Sequence, residues 1–256
     1  MWGIIPAAGS GSRIQPLAFS KELLPVGSKV ENGRLRPKAV CEYLVERMVR
    51  AGVTKICFVI SSTKSDILSY FGQGNDSVHF SYTIQSNPCG LCDSIFRALP
   101  LINKDEQVLV GLPDTIWFPE KALCELPDDI FSLLLFPVKK PEFYDAVELN
   151  DDLSVKKIMV KHVQKHTNLI WGAFKLNGKI LQKLYKLWCL KGKRDEYFGT
   201  LINTYIESGE NVFGISAGSK YVDVGTVNGY YESVQLLKDS HENITSDKED
   251  YQEQYS

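Results

Sequence analysis

The sequence predicts an α/β fold, in which an open, mostly parallel, Rossmann-like sheet is flanked by helices and joined by a small antiparallel portion. Three observations lead to this prediction. Short apolar runs alternate with stretches of helical periodicity, and the first apolar run ends in a glycine-rich loop. The composition, 44% hydrophobic and 23% charged over 256 residues, is typical of a soluble globular protein.

The first elements are a strand and a helix on either side of the glycine-rich loop. The apolar run over residues 2–7 stops at the loop, as a buried parallel strand does. Pro37 is predicted to open a helix that Gly52 closes, because proline suits the first turn of a helix and glycine its C-terminus. Apolar residues at 40, 41, 44, 45, 48 and 49 supply its buried face.

The same alternation continues through the rest of the first half. Asn87 is the expected N-cap of the second helix in this stretch. Strands are predicted at 56–60, 79–84 and 107–112, with helices near 64–71 and 88–99. Strands separated by helices of this length indicate right-handed crossovers and therefore a parallel sheet.

The second half is less regular. Residues 144–160 alternate in hydrophobicity around a polar turn at 150–152, which predicts an antiparallel hairpin. Strands are also predicted at 131–138 and 211–216, and helices at 178–190, 195–208 and 226–237. We expect a single domain over 1–237, with a nucleotide-binding half (1–125) and a sugar-binding half (126–237). The acidic segment 238–256 has one aliphatic residue and is predicted to be disordered.

Composition excludes several classes of partner. The formal net charge of -2 gives no basic surplus, so we expect no nucleic acid as a partner. The sequence contains no run of about 20 apolar residues, so no membrane span is predicted. The six dispersed cysteines indicate reduced thiols and a cytoplasmic protein. Cys89 and Cys92 have redox spacing, but a lone C-x-x-C without a thioredoxin-like pattern is a weak signal.

The glycine-rich loop is the strongest candidate for chemistry. Gly9 and Gly11 allow backbone N–H groups to converge on an anion, and Arg13 and Lys21 add positive charge, so a phosphate cradle is predicted. Ile14 stands where the dinucleotide fingerprint has its third glycine, and no Gly-Lys-Ser/Thr follows, so neither common nucleotide motif fits. The alternative is a structural glycine-rich turn with a surface arginine.

The segment GIIPAAGSGSRIQPLAFSKELLPVG (3–27) resembles the signature of the sugar-1-phosphate nucleotidyltransferases, in the form found in glucose-1-phosphate thymidylyltransferases. Further blocks follow in the family's order, and five blocks in order are specific where one alone is not. They are TIQSNPCGLCDSI (83–95), VLVGLPDTIW (108–117), WGAFKLN (171–177) and YVDVGTVNGYYES (221–233).

Two aspartates are candidate metal ligands. Asp114 follows a buried strand and Asp223 precedes a glycine turn, so both can face the crevice at the carboxyl edge of the sheet. Two carboxylates there suit Mg²⁺, which is held by one or two carboxylates, phosphate oxygens and water. The resemblance implies the same pair and the same cofactor. Each aspartate alone also fits a simple turn residue.

The resemblance assigns the remaining site residues. It implies catalytic roles for Arg13 and Lys21, and a carboxamide at Gln85 that reads the base with both donor and acceptor; a solvent-facing glutamine at a strand end is the alternative. On the nucleotide side it implies Ala8, Gly9, Gly11, Ser12, Gln85 and Gly90, and on the sugar-phosphate side Glu148, Lys161 and Gly172.

The resemblance implies transfer of a nucleotidyl group from an NTP, with dTTP or UTP favoured, to a sugar 1-phosphate, giving an NDP-sugar and pyrophosphate. By analogy it implies a homo-oligomer. A sugar-nucleotide-binding regulatory protein and a cytidylyltransferase for another phosphorylated alcohol are the alternatives. The chain departs from the family pattern at Pro113, at Asp145 or Ala146 and near 195–196, which leaves the sugar open.

Overall fold

The computed structural model describes residues 1–87, 89–161 and 166–238. Its helices follow the predicted ones closely in the second half, where 178–190 is helical over the whole predicted range. The helices are α1 (Val40–Arg50), α2 (Ser65–Phe71), α3 (Gly90–Arg97), α4 (Gly178–Leu190), α5 (Phe198–Glu207) and α6 (227–238).

Fourteen strands are found among the described residues. In the first half they are β1 (Trp2–Pro6), β2 (Pro25–Glu31), β3 (Arg34–Ala39), β4 (Lys55–Ile60), β5 (Gly74–Asn75), β6 (Val78–Ile84), β7 (Gln107–Gly111) and β8 (Thr115–Phe118). In the second half they are β9 (Ser132–Pro137), β10 (Ala146–Leu149), β11 (Val155–Met159), β12 (Leu169–Asn177), β13 (Phe213–Ile215) and β14 (Lys220–Asp223).

One ten-stranded sheet forms the centre of the molecule, with the main order β11-β10-β12-β7-β1-β4-β6-β5. The strands β7, β1, β4 and β6 are mutually parallel, which confirms the predicted α/β fold with its mostly parallel core. On the other side β12 runs antiparallel to β7, and β10 and β11 form the predicted hairpin. Both halves of the chain therefore contribute strands to one sheet.

Apolar side chains cover both faces of this sheet. Successive residues of a strand point to opposite faces, and Ile4 and Ile5 of β1 accordingly enter two different clusters of buried residues. The helices α3, α4 and α5 cover one face, and α1 covers the other. Burial on both sides explains why the central strands are continuous apolar runs rather than alternating patterns.

Two small antiparallel sheets lie outside the central one. The strands β2 and β3 form a hairpin, and β8 pairs with β14 so that Thr115 lies opposite Asp223. These four strands were not predicted from the sequence: β2, β3 and β14 carry mostly polar or partly exposed side chains, and β8, although buried, has only four residues. The pair β8–β14 has the greater consequence, since it joins the ends of two segments that carry predicted site residues.

Two predicted helix starts are wrong. Pro37 lies in β3 rather than opening α1, which begins at Val40. Cys89, and not Asn87, is the boundary residue before α3. The predicted C-terminus of α1 is confirmed: Gly52 has φ +88°, and the N–H groups of Gly52 and Val53 donate to Val49 and Met48 in a Schellman motif.

The predicted disordered segment lies outside the described residues, apart from Lys238 at the end of α6. None of the six cysteines forms a disulfide, and Cys41 and Cys57 are buried in the core. Among the described helices, none combines the length and apolarity that a membrane span requires.

Candidate active site

Four charged residues from four parts of the chain meet at the carboxyl edge of the parallel strands. Arg13 lies in the loop after β1, and Lys21 begins a short 3-10 turn (Lys21–Leu23). Asp114 lies in the turn between β7 and β8, and Asp223 ends β14. The pairing of β8 with β14 and the hydrogen bond from the Val224 N–H to the Asp114 carbonyl (2.8 Å) bring the two aspartates together.

The four residues form two ion pairs. The Lys21 Nζ lies 2.5 Å from Asp114 Oδ2, and the Arg13 Nη1 lies 2.7 Å from Asp223 Oδ2. Gly225 packs between them: a Cβ there would lie 2.7 Å from Asp114 Oδ2 and 2.9 Å from Asp223 Oδ1. The lack of a side chain at this position therefore keeps open the space that both carboxylates face.

The carboxylates suit a magnesium ion. Asp114 Oδ2 and Asp223 Oδ1 face the same space, at 2.7 and 2.9 Å from the position of a Cβ on Gly225, and hard oxygen donors are what Mg²⁺ prefers. No group of three or more His, Cys, Asp or Glu side chains with metal-binding geometry occurs in residues 1–87, 89–161 and 166–238. A metal here would accordingly need phosphate oxygens and water to complete its coordination.

The surroundings favour the charged forms of the buried pair. Burial opposes ionisation of Asp114, but the Lys21 ammonium outweighs it, so the pKa of the carboxyl lies below its ordinary value. Burial also lowers the pKa of Lys21, and Asp114 reverses this effect, so the net shift is upward. The pKa of Arg13 is raised in the same way, with Asp223 outweighing burial.

Residues that the sequence analysis missed support the strand carrying this site. Arg47 of α1 is 3% exposed, and its Nη2 donates to the carbonyl of Trp117 in β8 (2.6 Å). Burial lowers the pKa of Arg47 to about 10. Beside Asp223, burial raises the pKa of Tyr144 to about 12, and its ring meets Tyr221 edge-on at 5.7 Å. The burial of Arg47 against β8 could not be predicted, because no pattern in a single sequence marks a buried arginine.

The glycine-rich loop departs from a simple turn. Gly11 has φ +69°, and a Cβ there would lie 2.9 Å from Lys21 Cδ, so a side chain would strain the backbone and crowd the lysine. Gly9 and Ser12 are exposed, whereas Ala8 is buried. Exposed backbone beside Arg13 is what a phosphate cradle requires.

The side chain of Gln85 is buried, and its amide nitrogen is hydrogen-bonded within the chain. It is 2% exposed, and its Nε2 donates to Asp93 Oδ2 at 2.7 Å and to the Gly90 carbonyl at 3.3 Å. The amide nitrogen thus has two acceptors, whereas no donor to the acceptor oxygen of the carboxamide is found among the described residues. Gly90 has φ +87° and packs against the backbone of Glu196. The backbone conformation and the packing both require glycine there, whether or not it contacts a nucleotide.

The residues predicted for the sugar-phosphate side do not contact the four charged residues described above. Glu148 is paired with Lys156 on the β10–β11 hairpin (2.7 Å). The Lys161 ammonium contacts the Tyr197 hydroxyl and lies 4.0 Å from the centre of its ring. Gly172 lies beneath Tyr221, where a Cβ would come within 2.5 Å of the ring; its role in the structure is to admit that tyrosine beside Asp223.

The departures from the family pattern are accommodated locally. Pro113 is the first residue of the turn between β7 and β8, where the fixed φ of proline is tolerated. Ala146 is fully buried, whereas the Asp145 carboxylate lies 3.2 Å from the position of a Cβ on Gly199 in α5. Asp195 and Glu196 precede α5, and the Glu196 carbonyl accepts from the Leu91 N–H.

Comparisons with known proteins identify the relatives of this chain. The profile of the nucleotidyl transferase family matches residues 2–240. The chain is 24% identical over 250 residues to a glucose-1-phosphate thymidylyltransferase of Neisseria meningitidis, covering 93% of this chain and 83% of that protein. It is 27% identical over 179 residues to a low-salt glycan biosynthesis nucleotidyltransferase of Haloferax volcanii, covering 66% of this chain and about half (47%) of that protein.

Solved structures show the same fold. A UDP-glucose pyrophosphorylase of Acinetobacter baumannii superimposes with a TM-score of 0.78 at 18% identity, covering 99% of both chains. A UTP-bound structure of the enzyme from the same organism gives a TM-score of 0.74 at 20% identity, over 92% of each chain. At these identities the likeness concerns the fold alone.

Proposed function

Because the chain belongs to the nucleotidyl transferase family, we propose that it transfers a nucleotidyl group from an NTP to a sugar 1-phosphate, giving an NDP-sugar and pyrophosphate. The thymidylyltransferase relatives support a sugar 1-phosphate as the acceptor. The observation that carries the proposal is the convergence of Arg13, Lys21, Asp114 and Asp223 on one space at the carboxyl edge of the sheet. A polyphosphate and a divalent cation require that combination of cations and carboxylates.

In the proposed reaction, an oxygen of the sugar phosphate attacks the α-phosphorus of the NTP, and the bond to the pyrophosphate oxygen breaks in line. A phosphate monoester has its second pKa near 6, so the attacking oxygen is already anionic and no side-chain base is needed. Arg13 and Lys21 stabilise the charge on the triphosphate and on the leaving pyrophosphate. The chain contributes mainly positioning and charge neutralisation.

Asp114 and Asp223 would hold Mg²⁺, which when bound neutralises phosphate charge and orients the phosphate groups. In the structure each carboxylate pairs with a cation of the chain. Lys21 and Arg13 thus have two sets of anionic partners, the aspartates and the phosphates. Substrate binding would redistribute existing charges rather than bury new uncompensated ones.

The base and the sugar side are further parts of the proposal. The acceptor oxygen of Gln85 suits the N3–H of thymine or uracil, which supports dTTP or UTP. Ala8, Gly9, Gly11, Ser12 and Gly90 would supply the backbone around the nucleotide. Glu148, Lys161 and Gly172 remain predictions for the sugar-phosphate side, because the structure pairs them with other groups.

The test is a pyrophosphate-release screen of dTTP, UTP, CTP, ATP and GTP against a panel of sugar 1-phosphates with Mg²⁺. We expect release with dTTP or UTP and at least one sugar 1-phosphate, and none when either substrate is omitted. Tight binding of an NDP-sugar without any release would instead favour a regulatory binding protein. Release with CTP and a phosphorylated alcohol would favour a cytidylyltransferase.

A further inference from the structure

The loop over residues 7–20, which carries Arg13, is held at both ends by one short segment at the start of α2. At the beginning of the loop, the Lys64 Nζ donates to the Ala7 carbonyl at 2.7 Å. At its end, Asp66 accepts from the Ser20 N–H at 2.6 Å and from the Ser20 hydroxyl at 2.7 Å. Lys64 and Asp66 are two positions apart, so both ends of the loop are hydrogen-bonded to the same short segment.

A buried ion pair extends this attachment to Lys21. The Lys64 Nζ lies 2.8 Å from both carboxylate oxygens of Glu22, the residue that follows Lys21. Glu22 is 1% and Lys64 7% exposed, and all three donors of the ammonium have acceptors. Burial raises the pKa of Glu22, and Lys64 opposes that shift. Buried ion pairs contribute little net stability, so their value lies in geometry.

We propose that Glu22, Lys64 and Asp66 are positioning residues that hold the loop and Lys21 in their binding geometry before a nucleotide arrives. None of the three belongs to the cluster of Arg13, Lys21, Asp114 and Asp223; they act through the Ala7 carbonyl, Ser20 and the backbone beside Lys21. A loop ordered in advance spares the bound triphosphate the entropy cost of ordering it. The identity of the ligand rests on the proposed function, whereas the attachment of the loop does not.

Asp66→Ala is the sharpest variant, because Asp66 is partly exposed and its loss leaves no buried charge unpaired. Asp152 gives a matched control: it accepts from the Ser154 N–H at 3.0 Å and from the Ser154 hydroxyl at 2.6 Å in the turn between β10 and β11. Asp152→Ala therefore removes the same two contacts at a distant turn. Lys64→Met is combined with Glu22→Met, so that neither partner remains as a buried lone charge.

The first measurement needs no substrate. Trypsin cuts after exposed Arg13 only when the loop opens, and the fragment ending at Arg13 is followed by mass spectrometry. We expect Asp66→Ala and the double variant to be cut about tenfold faster than the wild type, with Asp152→Ala unchanged, because cleavage follows the population of the open loop. Equal rates in Asp66→Ala and the wild type would overturn the proposal.

The second measurement is kinetic. In Asp66→Ala we expect the KM for the NTP to rise about tenfold while the KM for the sugar phosphate stays at the wild-type value, since only the nucleotide must order the loop. Equal increases in both KM values would mean a general structural defect and would count against the proposal. If the wild type releases no pyrophosphate, the proposed function fails, and the cleavage rates still decide the role of these residues.

Discussion

Two groups of residues differ in how the structure holds them: those proposed for the phosphate side of the site (Arg13, Lys21, Asp114 and Asp223) and those predicted for its sugar side (Glu148, Lys161 and Gly172). On the phosphate side the charged groups pair with one another, at 2.5 and 2.7 Å. On the sugar side each residue has its partner elsewhere, in Lys156, Tyr197 or Tyr221. The two groups therefore differ in whether their side chains pair within the group or with residues outside it.

Exposure sharpens the contrast. The side chains of Lys21 and Asp114 are 14% and 11% exposed, whereas those of Lys156 and Glu148 are 58% and 33% exposed. An ion pair shielded from water interacts more strongly than a solvated one, whose contribution is small and screened by salt. The Arg13 side chain is 59% exposed, so the contrast concerns the Lys21–Asp114 pair, where a substitution should have larger consequences than one at Lys156 or Glu148.

The largest effect is expected from Asp114→Asn or Asp223→Asn. Either change removes a carboxylate from the pair that faces the space beside Gly225, so pyrophosphate release should fall about 100-fold or more. Steady-state pyrophosphate release with a saturating NTP and sugar phosphate measures the loss.

Asp128→Asn is the control for this experiment, because Asp128 pairs with Lys175 and its side chain is 69% exposed. The control should keep wild-type turnover. The melting temperatures of all three variants, measured by thermal unfolding, should stay close to that of the wild type if the fold survives. Near-normal turnover in either site variant would contradict the assignment of the two aspartates as metal ligands.

A smaller and more selective effect is expected on the sugar side from Lys161→Met. A charge-assisted hydrogen bond to a phosphate contributes about 1.5 kcal/mol, so the KM for the sugar phosphate should rise about tenfold. The KM for the NTP should not change. Lys183→Met is the matched control, because the Lys183 ammonium also lies beside a tyrosine ring (5.6 Å from the centre of that of Tyr205), and it should leave both constants unchanged. A rise in the KM for the NTP alone would place Lys161 on the phosphate side.

The smallest effect concerns acid stability. The pKa of Asp114 is depressed in the folded protein, so its ionised carboxylate contributes stability above pH about 4 that is lost as the pH falls through the folded pKa. The free energy of unfolding should therefore fall less steeply in Asp114→Asn than in the wild type below pH about 4. Urea unfolding at several pH values measures both slopes.

Glu148→Gln is the comparison for acid stability. Lys156 lowers the pKa of Glu148 through a hydrogen bond, but both side chains are partly exposed to water, which screens the pair. Its slope should follow that of the wild type. If Asp114→Asn and the wild type lost stability in parallel, the inferred electrostatic difference between the two sides would be wrong.

Sequence patterns predicted most strands of the central sheet because they are buried on both faces, and most helices because they have clear apolar stripes, but β12 and the two-residue β5 were not predicted. The convergence of Arg13, Lys21, Asp114 and Asp223 followed from the glycine-rich loop and the resemblance to a family. The small sheets were missed, since β2, β3 and β14 lack a continuous apolar run and β8 has only four residues.

Supporting contacts could not be predicted for a different reason. Lys64 and Arg47 lie in helical stretches whose polar residues usually face water, and nothing in their sequence neighbourhood indicates burial. Lys64 donates to the Ala7 carbonyl, 57 positions away, and to the Glu22 carboxylate, 42 positions away. Arg47 donates to the Trp117 carbonyl, 70 positions away. Such contacts depend on how the chain packs in three dimensions, which local patterns do not encode.

The pairing of β8 with β14 also sets the order in which the protein can become competent. Arg13 and Asp223 are 210 positions apart, so the first charged residue of the site has no partner until almost the whole body has been synthesised. At about 5 to 20 residues per second, a ribosome needs roughly 10 to 40 s to span that interval. A nascent chain can thus form its glycine-rich loop early, yet it has both carboxylates only once β14 has emerged.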